Sequence, residues 1–234
     1  YEMPESMSFE EGAALPVNYL TSYHMLFNVF RVRAGDRVLI HQAAGGVGTA
    51  ACQLCRSIEG VTTYGTASKA KHDYVRENGC DHPIDYHSLD YADEVRRLTG
   101  GRGVDVVLDA LGGTDWKKGY DLLRPGGMLV TFGWANMAKF GKRKMTHVVG
   151  QLAKMPWWTP IKLMHENKGV AGVKMGHLWE EHEMTRDAVT KLLQLYRDGA
   201  IKPRIDRSFP LEQASDAHAY IEAGQNVGKV LLTP

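Results

Sequence analysis

From Asp36 onward, short apolar runs of strand length alternate with stretches whose apolar residues recur at a helical period. This rhythm predicts strands at Arg37–His41, Val61–Tyr64, His82–Asp85, Val104–Asp109 and Met128–Phe132. Helices are predicted between them, over Val47–Ser57, Lys69–Asn78, Tyr91–Thr99 and a stretch near Trp116–Leu123. Strands separated by helices require crossover connections, so the pattern implies βαβ units and a parallel sheet. Val104-Asp105-Val106-Val107-Leu108 is nearly all apolar, as suits a strand buried on both faces. Pro125-Gly126-Gly127 predicts a turn before the fifth strand. A sixth strand is expected at Gly169–Val173, and a long amphipathic helix at Thr185–Arg197, ending at Gly199.

The flanks read differently. Glu5 to Leu15 suggests a short helix, with Ser8 as N-cap and Glu11 completing a capping box. Pro16 then stands where a second helix would begin, carrying apolar residues on more than one face from Tyr19 to Phe30. The interval from Trp134 to Lys168 breaks the rhythm. After Pro203 a helix over Leu211–Ala223 and a strand over Gly228–Leu232 suggest a further layer of structure.

Composition narrows the class. The 234 residues are 44% hydrophobic, enough for a well-buried core in one large domain, or one domain and part of another. A net charge of +1 gives no global field for nucleic acid or anionic membranes. No apolar run approaches the ~20 residues of a membrane span. Three cysteines suit a reducing cytoplasm better than a disulfide scaffold.

The chemistry is concentrated in His41-Gln42-Ala43-Ala44-Gly45-Gly46-Val47-Gly48, between the first strand and its helix. Aligned with G-x-G-x-x-G, it reads Ala43, Gly45, Gly48. Gly45 lets backbone approach a pyrophosphate, Gly48 lets the helix pack close to the strand, and the helix N-terminus faces the phosphates. NAD-binding folds place a carboxylate about 20 residues on, for the ribose 2′-hydroxyl. Here the second strand ends in Tyr64-Gly65-Thr66-Ala67-Ser68-Lys69-Ala70-Lys71, which has room and donors for a phosphate and no acid. That favours NADP, although lysines here could simply solvate a helix start.

Ala13–Tyr23, the glycine turn, Gly101–Asp109 and the ending Gly228-Lys229-Val230-Leu231-Leu232 resemble medium-chain dehydrogenases/reductases, in particular the zinc-independent quinone oxidoreductase and zeta-crystallin branch. Glu77-Asn78-Gly79 and His82–His87 look closest to the synaptic vesicle membrane protein (vesicle amine transport) family. The resemblance implies an α/β fold: a doubly wound parallel (Rossmann) sheet with remnants of an N-terminal GroES-like catalytic domain. It divides the chain into linker helices (1–34), the NAD(P)-binding domain (35–171) and a segment returning toward the catalytic domain (172–234).

A catalytic domain would precede Tyr1, so this chain alone is expected to be inactive. The resemblance assigns NADPH contacts to Thr21 near the nicotinamide and to Ala44, Gly45, Gly46, Val47 and Gly48 at the pyrophosphate. Gly65, Ser68, Lys71 and Tyr86 fall around the adenosine phosphate, and Gly113, Phe132, Gly133 and Trp134 on the nicotinamide side. Trp134 stands where a smaller residue is common. Where zinc-dependent members carry a cysteine ligand, this chain has Val17, so a metal is not expected.

The implied activity is hydride transfer to a small electrophilic acceptor, a quinone or an α,β-unsaturated carbonyl, by a cytoplasmic homodimer joined at the sixth strand. No residue has the credentials of a general acid. Rival readings are an NADPH-binding membrane-associated or sensing protein with little turnover, and an enoyl reductase module. Other features read as structural. Cys52-x-x-Cys55 lies within a helix, His177 and His182 do not share a helical face, and Asp109 is expected to hold backbone. Lys139–Lys144 reads as a solvated loop, and Trp157-Trp158 as cleft or core packing, with prolines on both sides against a membrane helix.

Overall fold

The computed structural model describes residues 1–137, 150 and 155–234. The Lys139–Lys144 cluster lies outside them. Helix α1 (Phe9–Tyr23) begins at the expected cap: Ser8 Oγ accepts from Glu11 N–H, and the Glu11 carboxylate accepts from Ser8 N–H. Such a cap contributes about 1 kcal/mol. Pro16 does not start a second helix. It lies inside α1, which runs unbroken and continues as a π-helical segment, His24–Phe30, to a left-handed Arg31. Proline forfeits one helical hydrogen bond, but Ala14, Leu15 and Asn18 to Ser22 are buried around it. Packing overrides the break.

The beat after Asp36 is observed as β1 (Arg37–Ile40), α2 (Gly46–Arg56), β2 (Thr62–Ala67), α3 (His72–Glu77), β3 (His82–Asp85) and α4 (Tyr91–Leu98). Then come β4 (Val104–Asp109), α5 (Thr114–Asp121), β5 (Leu123–Thr131), α6 (Pro160–Glu166) and β6 (Gly169–Gly172). The six strands form one parallel sheet in the order β3-β2-β1-β4-β5-β6. Pro125-Gly126-Gly127 lies within β5 as an irregularity in its register with β4, between the Val104–Leu123 and Val106–Met128 pairs. Successive residues of a strand face opposite sides. Val38, Ile40, Val106, Leu108 and Val130 therefore pack under α1 and α2, while Leu39, Val107 and Leu129 pack under α4 and α5.

After α7 (His182–Arg197), the tail makes a second, two-stranded parallel sheet from β7 (Ile205–Pro210) and β8 (Lys229–Thr233), joined through α8 (Ala214–Glu222). This is the separate layer expected after Pro203, with one strand, β7, that the pattern did not predict. The cysteines are free and buried. The tryptophan pair divides: Trp158 packs on Tyr120 at 5.2 Å, while Trp157 is 90% exposed.

Asp105 joins three neighbouring strands. Its buried carboxylate, in β4, accepts the Arg37 N–H at the start of β1 (2.8 Å) and is bonded by Arg124 of β5. Asp105→Ala leaves that amide and guanidinium without their acceptor. We expect a loss of about 2–3 kcal/mol, read by calorimetry as a fall in melting temperature of roughly 4–12 °C. An unchanged transition refutes the stapling role.

Candidate functional site

The strand order reverses between β1 and β4, and a cleft of about 950 Å³ opens above that point, at the carboxyl ends of the strands. Ligands of open α/β sheets bind at such switch points. One wall is the glycine turn. Gln42 adopts a left-handed conformation (φ 54°), Gly45 N–H returns to Gln42 O at 2.8 Å, and α2 starts directly afterwards with Gly45 as its N-cap. The first amides of a helix have no partners within it, so those of Gly46, Val47 and Gly48 form an anion cradle at the positive end of the helix dipole.

Added side-chain atoms here would meet backbone at one glycine and a side chain at the other. A Cβ on Gly48 would meet Gln42 O at 2.3 Å, and one on Gly46 would meet Asn18 Nδ2 at 2.4 Å. Gly65 serves the same turn from below. A Cβ there would strike Cys80 Sγ at 2.7 Å and Ala43 Cβ at 2.8 Å, so Gly65 lets the turn rest on β2.

Ala44 through Gly48, Ser68, Lys71, Tyr86 and Phe132 line the cleft. Thr21, Gly65, Gly113, Gly133 and Trp134 are not among its lining residues. The Thr21 hydroxyl donates to Val17 O at 2.6 Å, and one turn earlier Asn18 faces the cleft instead. Gly113 caps α5 at φ 66°, and a Cβ on Gly133 would press on Ala110 O at 2.7 Å. Trp134 turns away to meet Trp116 edge-to-face at 5.5 Å.

Several lining groups carry no local signal in the sequence. His41 and Thr66 form the floor, Asp115 and Asn136 the far wall, and the turn from Gly224 to Gly228 a roof. That turn is fastened to the glycine turn and to Lys71. Gly228 N–H donates to Ala44 O at 2.8 Å, and Lys71 Nζ donates to Gly224 O and Asn226 O, each at 2.7 Å. Desolvation lowers the Lys71 pKa.

Beside the floor, Asp109 Oδ1 accepts from Leu111 N–H and Gly112 N–H, both at 2.8 Å, as expected of a residue that holds backbone. Burial pushes the Asp109 carboxyl up and the His41 imidazole down. Among the described residues no three His, Cys, Asp or Glu side chains converge as metal ligands. No described helix is long and apolar enough to cross a membrane.

A glycine turn at the switch point of a 3-2-1-4-5-6 parallel sheet defines a Rossmann-type nucleotide-binding domain. The family model described as zinc-binding dehydrogenase matches residues 78–232, and the chain belongs to that family, in the vesicle amine transport and quinone oxidoreductase branch of the medium-chain dehydrogenases/reductases. The mouse synaptic vesicle membrane protein VAT-1 homolog is 48% identical over 99% of this chain, which spans 57% of that protein's length. The crystal structure of the human VAT-1 homolog-like protein is 36% identical, with a TM-score of 0.81, over 100% of this chain and 66% of its own. Escherichia coli quinone oxidoreductase complexed with NADPH superposes with a TM-score of 0.83 at 26% identity, over 100% of this chain and 68% of its own.

Proposed function

We propose that this chain is the NADPH-binding part of an oxidoreductase that delivers hydride to a quinone or α,β-unsaturated carbonyl without a catalytic zinc. The observation that carries the reading is the pairing of an amide cradle at the switch point with Ser68 and Lys71, rather than a carboxylate, beside the tip of β2. The NADPH complex of the Escherichia coli neighbour supports it.

NADPH supplies the hydride from C4 of its nicotinamide when bound. The residues of this chain bind and orient. Amides of Gly46 to Gly48 would hold the pyrophosphate, and Ser68 and Lys71 the 2′-phosphate. The ammonium of Lys71 has three donors; two are engaged with the roof carbonyls, leaving one for a phosphate oxygen. Phe132 and Asn136 would border the nicotinamide. Val17 stands where a zinc ligand would be needed, and its side chain cannot coordinate. Without a metal, polarisation of the acceptor falls to hydrogen-bond donors. Thr21 and Gly65 would act through α1 and β2, and Gly113, Gly133 and Trp134 through the loops beside the nicotinamide end. A homodimer in the cytoplasm completes the proposal, the latter suiting three unpaired thiols.

Titration of intrinsic fluorescence with NADPH and NADH tests the assignment. NADPH should bind more tightly. Lys71→Ala should weaken NADPH by about ten- to a hundredfold, the worth of one charge-assisted hydrogen bond, and leave NADH little changed. Equal affinities for both nucleotides in the parent protein refute the preference.

A further inference from the structure

Two polar atoms, one on His41 in the floor of the cleft and one on Asp109 buried beside it, have no hydrogen-bond partner, and they face each other. His41 Nε2 and Asp109 Oδ2 lie 3.9 Å apart on side chains with no exposed surface. An unmade hydrogen bond between buried groups is costly, and it stands between the two loops that a dinucleotide must bridge. We propose that His41 and Asp109 form a proton-accepting pair: binding of the anionic dinucleotide takes up a proton from solvent onto His41 and joins the loop after β4 to the glycine turn. The inference rests on the NADPH reading above and adds a linkage which that reading does not contain.

The remaining atoms of the pair reach opposite walls. His41 follows β1, its N–H donating to Leu108 O at 3.1 Å, and its Nδ1 contacts Thr66 Oγ1 at 3.2 Å. The same Thr66 oxygen accepts the N–H of Gln42, the left-handed residue of the glycine turn, at 3.1 Å. On the other side Asp109 Oδ1 organises Leu111 and Gly112. A change at the pair is therefore transmitted through Thr66 to the glycine turn and through two backbone hydrogen bonds to the loop after β4.

The surroundings set the direction. Tyr91 of α4 meets the His41 ring edge-to-face at 4.7 Å, and its hydroxyl donates to Asp115 of α5 at 2.9 Å. Asn136 Nδ2 donates to the other Asp115 oxygen at 2.7 Å. Lys118 of α5, the nearby cation, lies over the Tyr91 ring and is bonded to Asp90 at 2.7 Å. Among the described groups that act on His41, Asp109 and Asp115 favour its charged form and Lys118 opposes it, while burial opposes it most.

Phosphates added at the cradle bring negative charge into a poorly screened site, which raises the proton affinity of a nearby imidazole. His41 then gains one proton from solvent and becomes imidazolium. Asp109 stays a carboxylate and accepts from Nε2–H, and Thr66 Oγ1 accepts from Nδ1–H. The linkage has a sign: affinity for nucleotide falls as pH rises through the range between the free and bound pKa of His41.

Calorimetric titration of the protein with NADPH, in buffers of different ionisation enthalpy near pH 7, counts the protons. The expected result is a net uptake of protons on binding. NADH should give the same sign, which separates the effect from titration of the 2′-phosphate. His41→Gln and Asp109→Asn should each abolish the uptake and weaken NADPH binding. NADPH binding whose heat is independent of buffer in the parent protein overturns the proposal and leaves the cofactor assignment intact, without recourse to any variant. So does an uptake that survives His41→Gln. Absence of binding by either nucleotide defeats the cofactor assignment itself, and this inference with it.

Discussion

Gly48→Ala is expected to weaken NADPH binding by at least about a hundredfold, equivalent to ~2.7 kcal/mol. The added methyl would stand 2.3 Å from Gln42 O, 2.6 Å from Ala43 Cα and 2.9 Å from Ala43 C. All three are backbone atoms of the turn, so no rotamer change relieves the overlap. The turn and the start of α2 must separate, which displaces the amides that would hold the pyrophosphate. Overpacking of this kind costs roughly 1–3 kcal/mol of stability, so the variant should melt lower yet remain folded. Gly46→Ala is the internal comparison. Its methyl meets the side chain of Asn18 at 2.4 Å, and a side chain can swing aside. Fluorescence titration and thermal melts on both variants test the argument. Wild-type affinity in Gly48→Ala sinks it, as does equal loss in the two.

What the sequence disclosed, it disclosed locally. Val104–Asp109 appears with the predicted bounds because it is a compact, nearly all-apolar run buried on both faces, and His82–Asp85 does so as a short stretch around buried Ile84 between two helices. The glycine turn was legible for the same reason: its strand, its turn and its helix are contiguous. Pro16 misled because a local breaker rule competes with burial on both sides of it, and burial prevailed.

β7 was hidden in Ile205-Asp206-Arg207-Ser208-Phe209-Pro210, a half-exposed strand ending in proline whose partner β8 comes only after α8. The walls of the cleft were hidden by distance along the chain. Nothing in Asn18, Asn136 or Asn226 announces that they share a site with Gly46. Trp134 shows how narrow the margin is. Ala135 N–H donates to Ala110 O and Asn136 N–H to Leu111 O, at 3.0 and 2.9 Å. That knitting directs Phe132, Ala135 and Asn136 to the cleft, while the intervening tryptophan lands on Trp116.

The protein is expected to be a homodimer, and Gly172→Pro to convert it to a monomer. β6 is the outer strand of the sheet, so one side of its backbone is not hydrogen-bonded within the sheet. Alternation of its amides says which side each residue serves. Val173 N–H donates inward to Thr131 O at 2.8 Å. In a parallel ladder alternate residues donate to the same neighbour, which places Gly169 and Ala171 with Val173 and turns the amides of Val170 and Gly172 outward. Proline at Ala171 would therefore damage the β5–β6 ladder and test nothing about assembly. Proline at Gly172 removes an outward donor from an exposed residue and spares that ladder.

The surface beside this edge suits a second copy. Trp157, Ile161 and Met164, on α6 and the residues leading into it, are 90%, 65% and 67% exposed, and α6 runs directly into β6. A two-fold axis at the edge would pair each β6 with its equivalent in antiparallel register, bringing both apolar surfaces to one side of the junction. Light scattering on the parent protein and on Gly172→Pro decides the matter, with NADPH affinity as the check that the cleft is intact. A monomeric parent defeats the proposal, and so does a proline variant that remains dimeric.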